Sequence, residues 1–272
     1  MKLNVRWTIG NVAPEGFEAL RLSLWGADRL FPASAQFHVC VNTISLESAI
    51  PQTGEVPERV QWHSISRRVP SVLEPFLYEA MSEGTAWKFI PLLLDPEVRE
   101  LAIDNDLILW ELPPSIEAWM EDPEGTLVAA DVTPAHGQFA EQCGPEPRNS
   151  GIRGTPAGFD FESAIRSVLE DNRVRLQSEL DEQGLQIAAL SRAGPPHVVP
   201  VQDVSICSPF PPHLPEPGRC GAHFVGLNTR NLPWQFHGRP AREVRLAHWR
   251  RYRPQLYRRV GLELPAELEP AE

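Results

Sequence analysis

The alternation of apolar and polar positions opens the chain with a predicted strand. KLNVRWTI, residues 2–9, alternates in character and carries β-branched residues. The period then changes. In APEGFEALRLSLWGADRLF, Phe17, Leu20, Leu24 and Leu30 recur at near-helical spacing, and Pro14 stands where a helix opening tolerates it. QFHVCVNT predicts a second strand and VPERVQWHSIS a third, short one. AWKFIPLLL followed by DPEVRELAI reads as a helix ending at a proline-led turn, and DLILWEL as the continuous apolar run of a buried strand. SIEAWMED predicts a helix, GTLVAADV a strand, and residues 134–147 a loop. The clearest helical patterns are FDFESAIRSVLEDN and SELDEQGLQIAALSR. HVVPVQDVSI predicts a strand interrupted by Pro200, and CSPFPPHLPEPGRCG, with five prolines, an extended loop. The tail PAREVRLAHWRRYRPQLYRRVGLEL predicts a basic amphipathic helix broken near Pro254.

Strands alternating with helices through the first half predict an α/β fold, with one mostly parallel central sheet flanked by helices. In such sheets the ligand crevice lies at the carboxyl ends of the strands. With 272 residues, 42% of them hydrophobic, the chain can bury one large core. We expect residues 1–238 to form that domain, with residues 239–272 as a basic helical tail packed on it. The net charge of −11 disfavours nucleic acid as a partner of the whole molecule. It is uneven, because residues 239–259 hold eight arginines and one acid, Glu243. There Trp249, Tyr252 and Tyr257 interleave with Arg250, Arg251, Arg253, Arg258 and Arg259, a pattern that could meet an anionic acceptor, a phospholipid surface peripherally, or RNA. The alternative is a helix that packs its aromatics onto an acidic body and leaves its arginines in water. The four cysteines lie far apart without a C-x-x-C pair, and no apolar run is long enough for a signal peptide or a membrane span. Both features lead us to expect a cytoplasmic protein with reduced thiols.

Candidate chemistry centres on ELAIDNDLILWELP. Residues i and i+2 of an extended segment project to one side, so Asp104 and Asp106 can share a hard divalent cation such as Mg²⁺ or Mn²⁺. Asp and Asn are also ordinary turn formers, so the triplet alone leaves both readings open. Lys88 is one of two lysines and sits in the apolar stretch TAWKFIPLLL. RNSGIRGTP brings Asn149, Ser150 and Gly151 together, the glycine allowing close approach of a ligand. ELDEQGLQIAAL places Asp181 and Gln183 at a helix start, where they could grip sugar hydroxyls or merely serve the helix dipole. GAHFVGLNTRNLPW offers His223 between glycines. No Gly-x-Gly-x-x-Gly after a strand, P-loop, Gly-x-Ser-x-Gly or H-E-x-x-H is present.

Asp-x-Asp, then Asn-Ser-Gly, then Asp-Glu-Gln on a helix, then His-Phe-x-Gly is an order that resembles the GT-A-fold glycosyltransferases. The likeness is greatest to the retaining, glycogenin and galactosyltransferase-like family (glycosyltransferase family 8-like), and it covers roughly residues 85–236. The resemblance implies a GT-A-like fold with a Rossmann-like nucleotide-binding half, a nucleotide-sugar donor (UDP- or GDP-linked) and a glycan or small-molecule acceptor. It implies Asp104, Asp106 and His223 as ligands of Mn²⁺ or Mg²⁺, and Lys88 as a basic residue facing the donor. It further implies Asn149, Ser150 and Gly151 against donor sugar or phosphates, Asp181 and Gln183 facing the sugar, and Thr8, Gly10 and Asn11 holding base and ribose. The family's Lys-Pro-Trp is Leu232-Pro233-Trp234 here, leaving Arg230 as the substitute cation, and the tyrosine-rich strand that precedes its Asp-x-Asp reads RELAI. The function so implied is metal-dependent transfer of a sugar, with retention. The alternatives are a non-catalytic GT-A-like protein that binds nucleotide or glycan, and, last, a sugar nucleotidyltransferase, whose Gly-rich basic loop is missing from TIGNVAPEGF.

Overall fold

The computed structural model describes residues 2–65, 69–77, 87–172 and 174–268. The first strand, β1 (Leu3–Ile9), is followed by α1 (Pro14–Leu30), β2 (Ala35–Val41), α2 (Leu46–Thr53) and β3 (Val60–Ser64). Single 3₁₀ turns at Glu74–Phe76 and Trp87–Phe89 lead to β4 (Arg99–Ile103), β5 (Leu107–Leu109), α3 (Pro114–Glu121) and β6 (Leu127–Ala130). The short α4 (Ala140–Cys143), β7 (Arg148–Thr155), α5 (Phe161–Asn172) and α6 (Glu179–Ser191) come next. The chain closes with β8 (His197–Val199), β9 (Val204–Ile206), β10 (Gly221–His223), a two-residue hairpin of β11 (Gln235–Phe236) and β12 (Arg239–Pro240), and α7 (Ala241–Val260).

Seven strands form the central sheet in the order β3-β2-β1-β4-β7-β6-β8. All pairings are parallel except those of β7, which runs against both neighbours. The chain reverses direction across the sheet at β1, with β2 on one side and β4 on the other, so a crevice opens beyond their carboxyl ends. A second, three-stranded sheet, β5-β10-β9, stands beside this crevice. One apolar cluster joins Trp7, Phe37 and Leu101 of the sheet to Phe17 and Leu20 of α1 and Trp119 of α3. Another joins Val128 of β6 to Ile165 of α5 and Leu185 of α6.

Three sequence readings need correction, and one segment without a clear period proves to be a strand. RELAI does not continue a helix: it is β4, fully buried and paired on both edges, and two-sided hydrogen bonding decides its state. RNSGIRGTP forms β7, a strand disguised by two glycines and several polar residues. DLILWEL contributes only three strand residues, and these belong to the smaller sheet. Pro254 does not break the last helix, which runs unbroken through it. The carbonyl that loses its amide partner belongs to Arg250, an exposed residue, where water can satisfy it.

Helix α7 is built into the body. Trp249, Tyr252, Leu256, Tyr257 and Val260 are buried with Ala19 and Leu22 of α1. The Trp249 indole donates to Glu18 at 2.9 Å and the Tyr257 hydroxyl donates to the same carboxylate at 3.0 Å. The aromatics are therefore turned inward, and Arg250, Arg251 and Arg258 are left in water.

Candidate active site

Asp104 and Asp106 sit on the turn that carries the chain from β4 in the large sheet to β5 in the small one. The turn is held from four sides. Asp104 N donates to Gly151 O at 2.9 Å, and Leu107 N closes the turn on Asp104 O at 3.0 Å. The buried Asn105 amide donates to Gly16 O and to Asn228 Oδ1, and Asn228 returns bonds to Asn105 and to Asp106 Oδ2 at 3.0 and 3.2 Å. Strand β10 pairs with β5 so that His223 lies opposite Leu107, next to Asp106. Register, not sequence proximity, thus brings the imidazole to the carboxylates.

His223 Nε2 lies 3.3 Å from Asp106 Oδ1 and 3.6 Å from Asp104 Oδ2. One ligand atom from each of the three falls within 4.8 Å of the others, and among the described residues no other such group of His, Cys, Asp or Glu occurs. Lys88 Nζ donates to Asp104 Oδ2 at 2.8 Å. The electrostatics favour cations here. Burial pulls the His223 pKa down, but the hydrogen bond and charge of Asp106, with the charge of Asp104, outweigh it and hold the imidazole above its ordinary value. Burial likewise opposes the Lys88 ammonium, yet Asp104 and Glu182 keep its pKa above the usual range. Two carboxylates and an imidazole, converging in a field of this sign, fit Mn²⁺ or Mg²⁺.

Gly151 makes the close packing of β7 on this group feasible. A Cβ there would lie 2.6 Å from His223 Cε1, 2.7 Å from its Nδ1 and 2.8 Å from Asn149 Oδ1. Asn149 is itself fixed, accepting from Gly151 N at 2.7 Å and donating to Asp131 Oδ2 at 2.9 Å.

Around these residues lies a cleft of about 850 Å³, large enough for a nucleotide with a sugar. Thr8, Gly10 and Asn11 line it from the end of β1, Lys88 and the Asp104–Asp106 turn from the end of β4, and Asn149 and Ser150 from β7. Arg230 lines it too, but its guanidinium is engaged by Asn11 Oδ1 at 2.7 Å and Val12 O at 2.8 Å, clasping the β1 loop. Gln183 reaches the wall with its carbonyl accepting from Ser150 N at 3.2 Å and its amide donating to Ala135 O at 2.9 Å.

Asp181 does not face the cleft. Its carboxylate accepts from Gln138 N at 2.8 Å, the Gln138 amide at 2.9 Å, Gln177 N at 2.7 Å and Ser178 N at 3.2 Å, completing the capping box of α6 with Ser178. All of its acceptor capacity is spent on structure. Asp181→Ala is expected to cost about 2–3 kcal/mol of stability, through the lost cap and the orphaned donors, in urea unfolding. Nucleotide binding should be unchanged in the folded fraction.

The residue that sequence reasoning missed is the next one. Glu179, Glu182 and Gln183 line the cleft, at i, i+3 and i+4 on one stripe of α6, and this helical phase is the signal that separates Glu182 from Asp181. Glu182 is buried, and burial raises its pKa to about 7 against the opposing charges of Lys88 and Arg153. Arg153, also unanticipated, is buried behind it on β7 with Nε and Nη1 unpartnered. Because the folded pKa of Glu182 lies above its unfolded value of 4.5, the fold prefers the neutral acid. Its contribution is complete below pH 4.5 and is lost as pH rises towards 7. Glu182→Gln should therefore gain stability relative to wild type by about 3 kcal/mol between pH 4.5 and pH 8, measured by urea unfolding in EDTA.

A central sheet with one reversed strand, a crevice at the β1/β4 reversal and a small second sheet closing on the Asp-x-Asp turn together define a known architecture. The fold is GT-A. The chain superposes on the galactosyltransferase LgtC, solved with donor and acceptor sugar analogues, with a TM-score of 0.55 and 13% identity over 97% of this chain and 98% of that one. Mouse xyloside xylosyltransferase 1, in its apo form, gives a TM-score of 0.56 and 14% identity over 84% of this chain and 99% of that one. An active-site glutamine-to-glutamate mutant of LgtC gives 0.51 at 13% identity over 97% and 98%. No family model matches the sequence, and no curated protein matches it significantly. The GT-A likeness thus resides in the backbone, with the sequence far diverged.

Proposed function

We propose that this GT-A chain is a metal-dependent glycosyltransferase that moves a sugar from a nucleotide-diphosphate donor to a glycan or small-molecule acceptor, with retention of anomeric configuration. The observation that carries the reading is the convergence of Asp104, Asp106, His223 and Lys88 at the mouth of the β1/β4 crevice. Asp104, Asp106 and His223 would hold Mn²⁺ or Mg²⁺, which would supply charge neutralisation for a diphosphate leaving group. Lys88 adds a fixed positive charge beside it, which strengthens as negative charge builds on the departing oxygen. Thr8, Gly10 and Asn11 receive base and ribose at the end of β1. Asn149, Ser150 and Gln183 present amide and hydroxyl groups to the donor sugar. Gln183 is the one glutamine lining the cleft among the described residues, and the LgtC mutant is likewise altered at an active-site glutamine. Glu182 takes the place first expected for Asp181 against the sugar, and no general base on the acceptor is needed if configuration is retained.

Calorimetric titration of UDP and GDP into the protein, with and without Mn²⁺, tests the proposal. Metal-dependent binding of one of them is expected and names the donor base; a folded sample that binds neither overturns it. The commitment of Arg230 to the β1 loop, with Leu232 where the related family has lysine, favours a second reading, a GT-A-like protein that binds nucleotide without turnover. Binding without donor hydrolysis or transfer would select that reading. Among the described residues no helix is long and apolar enough to cross a membrane. Any peripheral contact through α7 would rest on its exposed arginines, since the aromatic side chains of that helix are buried.

A further inference from the structure

In a chain with 22% charged residues, residues 208–214 (SPFPPHL) and 231–238 (NLPWQFHG) contain none. The two stretches meet. Phe210 sets its edge against Trp234 at 4.6 Å between ring centroids and against Phe236 at 5.2 Å. Trp234 is nevertheless 42% exposed and Leu214 37%. The platform is stiff, because the Trp234 carbonyl accepts from Ala241 N at the start of α7 and prolines stand within both stretches.

The platform lies within reach of the cleft. Trp234 is four positions along the chain from Arg230 in the cleft wall, which keeps their Cα atoms within about 14 Å. His213, on the Phe210 loop, is close enough to Asp131 and His223 for both charges to bear on its pKa, and Asp131 accepts from the cleft residue Asn149. A short oligosaccharide spans that interval.

The chemistry of the platform selects its occupant. An indole face carries negative quadrupolar charge that attracts the polarised C–H face of a sugar ring, and the exposed Asn231, Gln235 and His237 offer donors and acceptors to hydroxyls. An anionic lipid surface or an acidic peptide would call for a cluster of Lys or Arg, whereas the two stretches hold none and the exposed Arg239, paired opposite Phe236, stands singly at their edge. We propose that Trp234, braced by Phe210, stacks on a neutral sugar ring of the acceptor, forming a subsite outside the metal and donor groups. The proposal rests on the glycosyltransferase reading and specifies its acceptor as a glycan.

Saturation-transfer NMR on the full chain tests it, with methyl β-galactoside, methyl α-glucoside, lactose and maltotriose as probes and UDP or GDP with Mn²⁺ present. At least one probe should receive saturation on one face of a ring. Its affinity should fall about tenfold or more in Trp234→Ala and much less in Trp234→Phe, with nucleotide affinity unchanged in both. Saturation of none of the four, or an affinity that Trp234→Ala leaves unchanged, overturns the proposal. So does a Trp234→Ala defect seen with phosphatidylglycerol vesicles and not with saccharides. Failure of the wild type to bind UDP or GDP with Mn²⁺ overturns the transferase reading instead, while probe binding in EDTA still decides the stacking.

Discussion

Asp106→Ala should abolish metal-dependent nucleotide binding and lower sugar transfer by about three orders of magnitude, while the protein stays folded. Asp106 is buried and divides its carboxylate between His223 at 3.3 Å and the Asn228 amide at 3.2 Å. Its removal leaves Asp104 and His223, too few ligands for a hard divalent cation to stay bound beside water. The His223 imidazole also loses the strongest influence holding its pKa up, so the site loses both negative charge and alignment. Folding should survive because the backbone carbonyl of Asp106 still accepts from Phe224 N at 2.8 Å and keeps β10 on β5. Calorimetry of the nucleotide with Mn²⁺, with circular dichroism as the control for folding, reads the result. Retained affinity in a folded Asp106→Ala protein sinks the assignment of the site.

Gly151→Ala should damage the same site from the opposite side by adding one carbon. A methyl group 2.6 Å from His223 Cε1 lies well inside van der Waals contact, so the ring must move or β7 must bow away from it. Overpacking of this kind costs about 1–3 kcal/mol. A ring displaced by about 1 Å loses about 10²-fold in catalysis even where the protein stays folded. Gly154→Ala is the matched control on the same strand, because its added carbon meets Trp119 at 2.5 Å, away from the cleft. Both variants should melt earlier than wild type, and only Gly151→Ala should weaken Mn²⁺-dependent nucleotide binding. Equal binding by the two would show that Gly151 serves packing alone.

The first three strands and the helices α1, α3, α5 and α6 were legible because each announces itself locally, by period or by a proline at a start. Strands β4 and β7 were not, since their state is set by partners on both edges rather than by their own composition. The same distinction governs the cleft. Asp104 and Asp106 could be singled out from spacing, and His223 only from the order of motifs, because the β5–β10 register that delivers it is a tertiary fact. On α6 the carboxylate that lines the cleft is Glu182, one residue and about 100° of helical phase away from Asp181. Burial of Arg153 leaves no trace in sequence, where it looks like any of the chain's many arginines.

The placement of the Asp-x-Asp turn at the end of β4 and of His223 on a strand made much later has a consequence for biosynthesis. Translation from the N-terminus presents both carboxylates on the order of ten seconds before the imidazole is synthesised. A nascent chain can assemble β1 to β4 in that interval, but the ligand set is still one member short. Cation capture is thereby deferred until β9 and β10 have docked, so metal loading would report that the small sheet has closed on the large one.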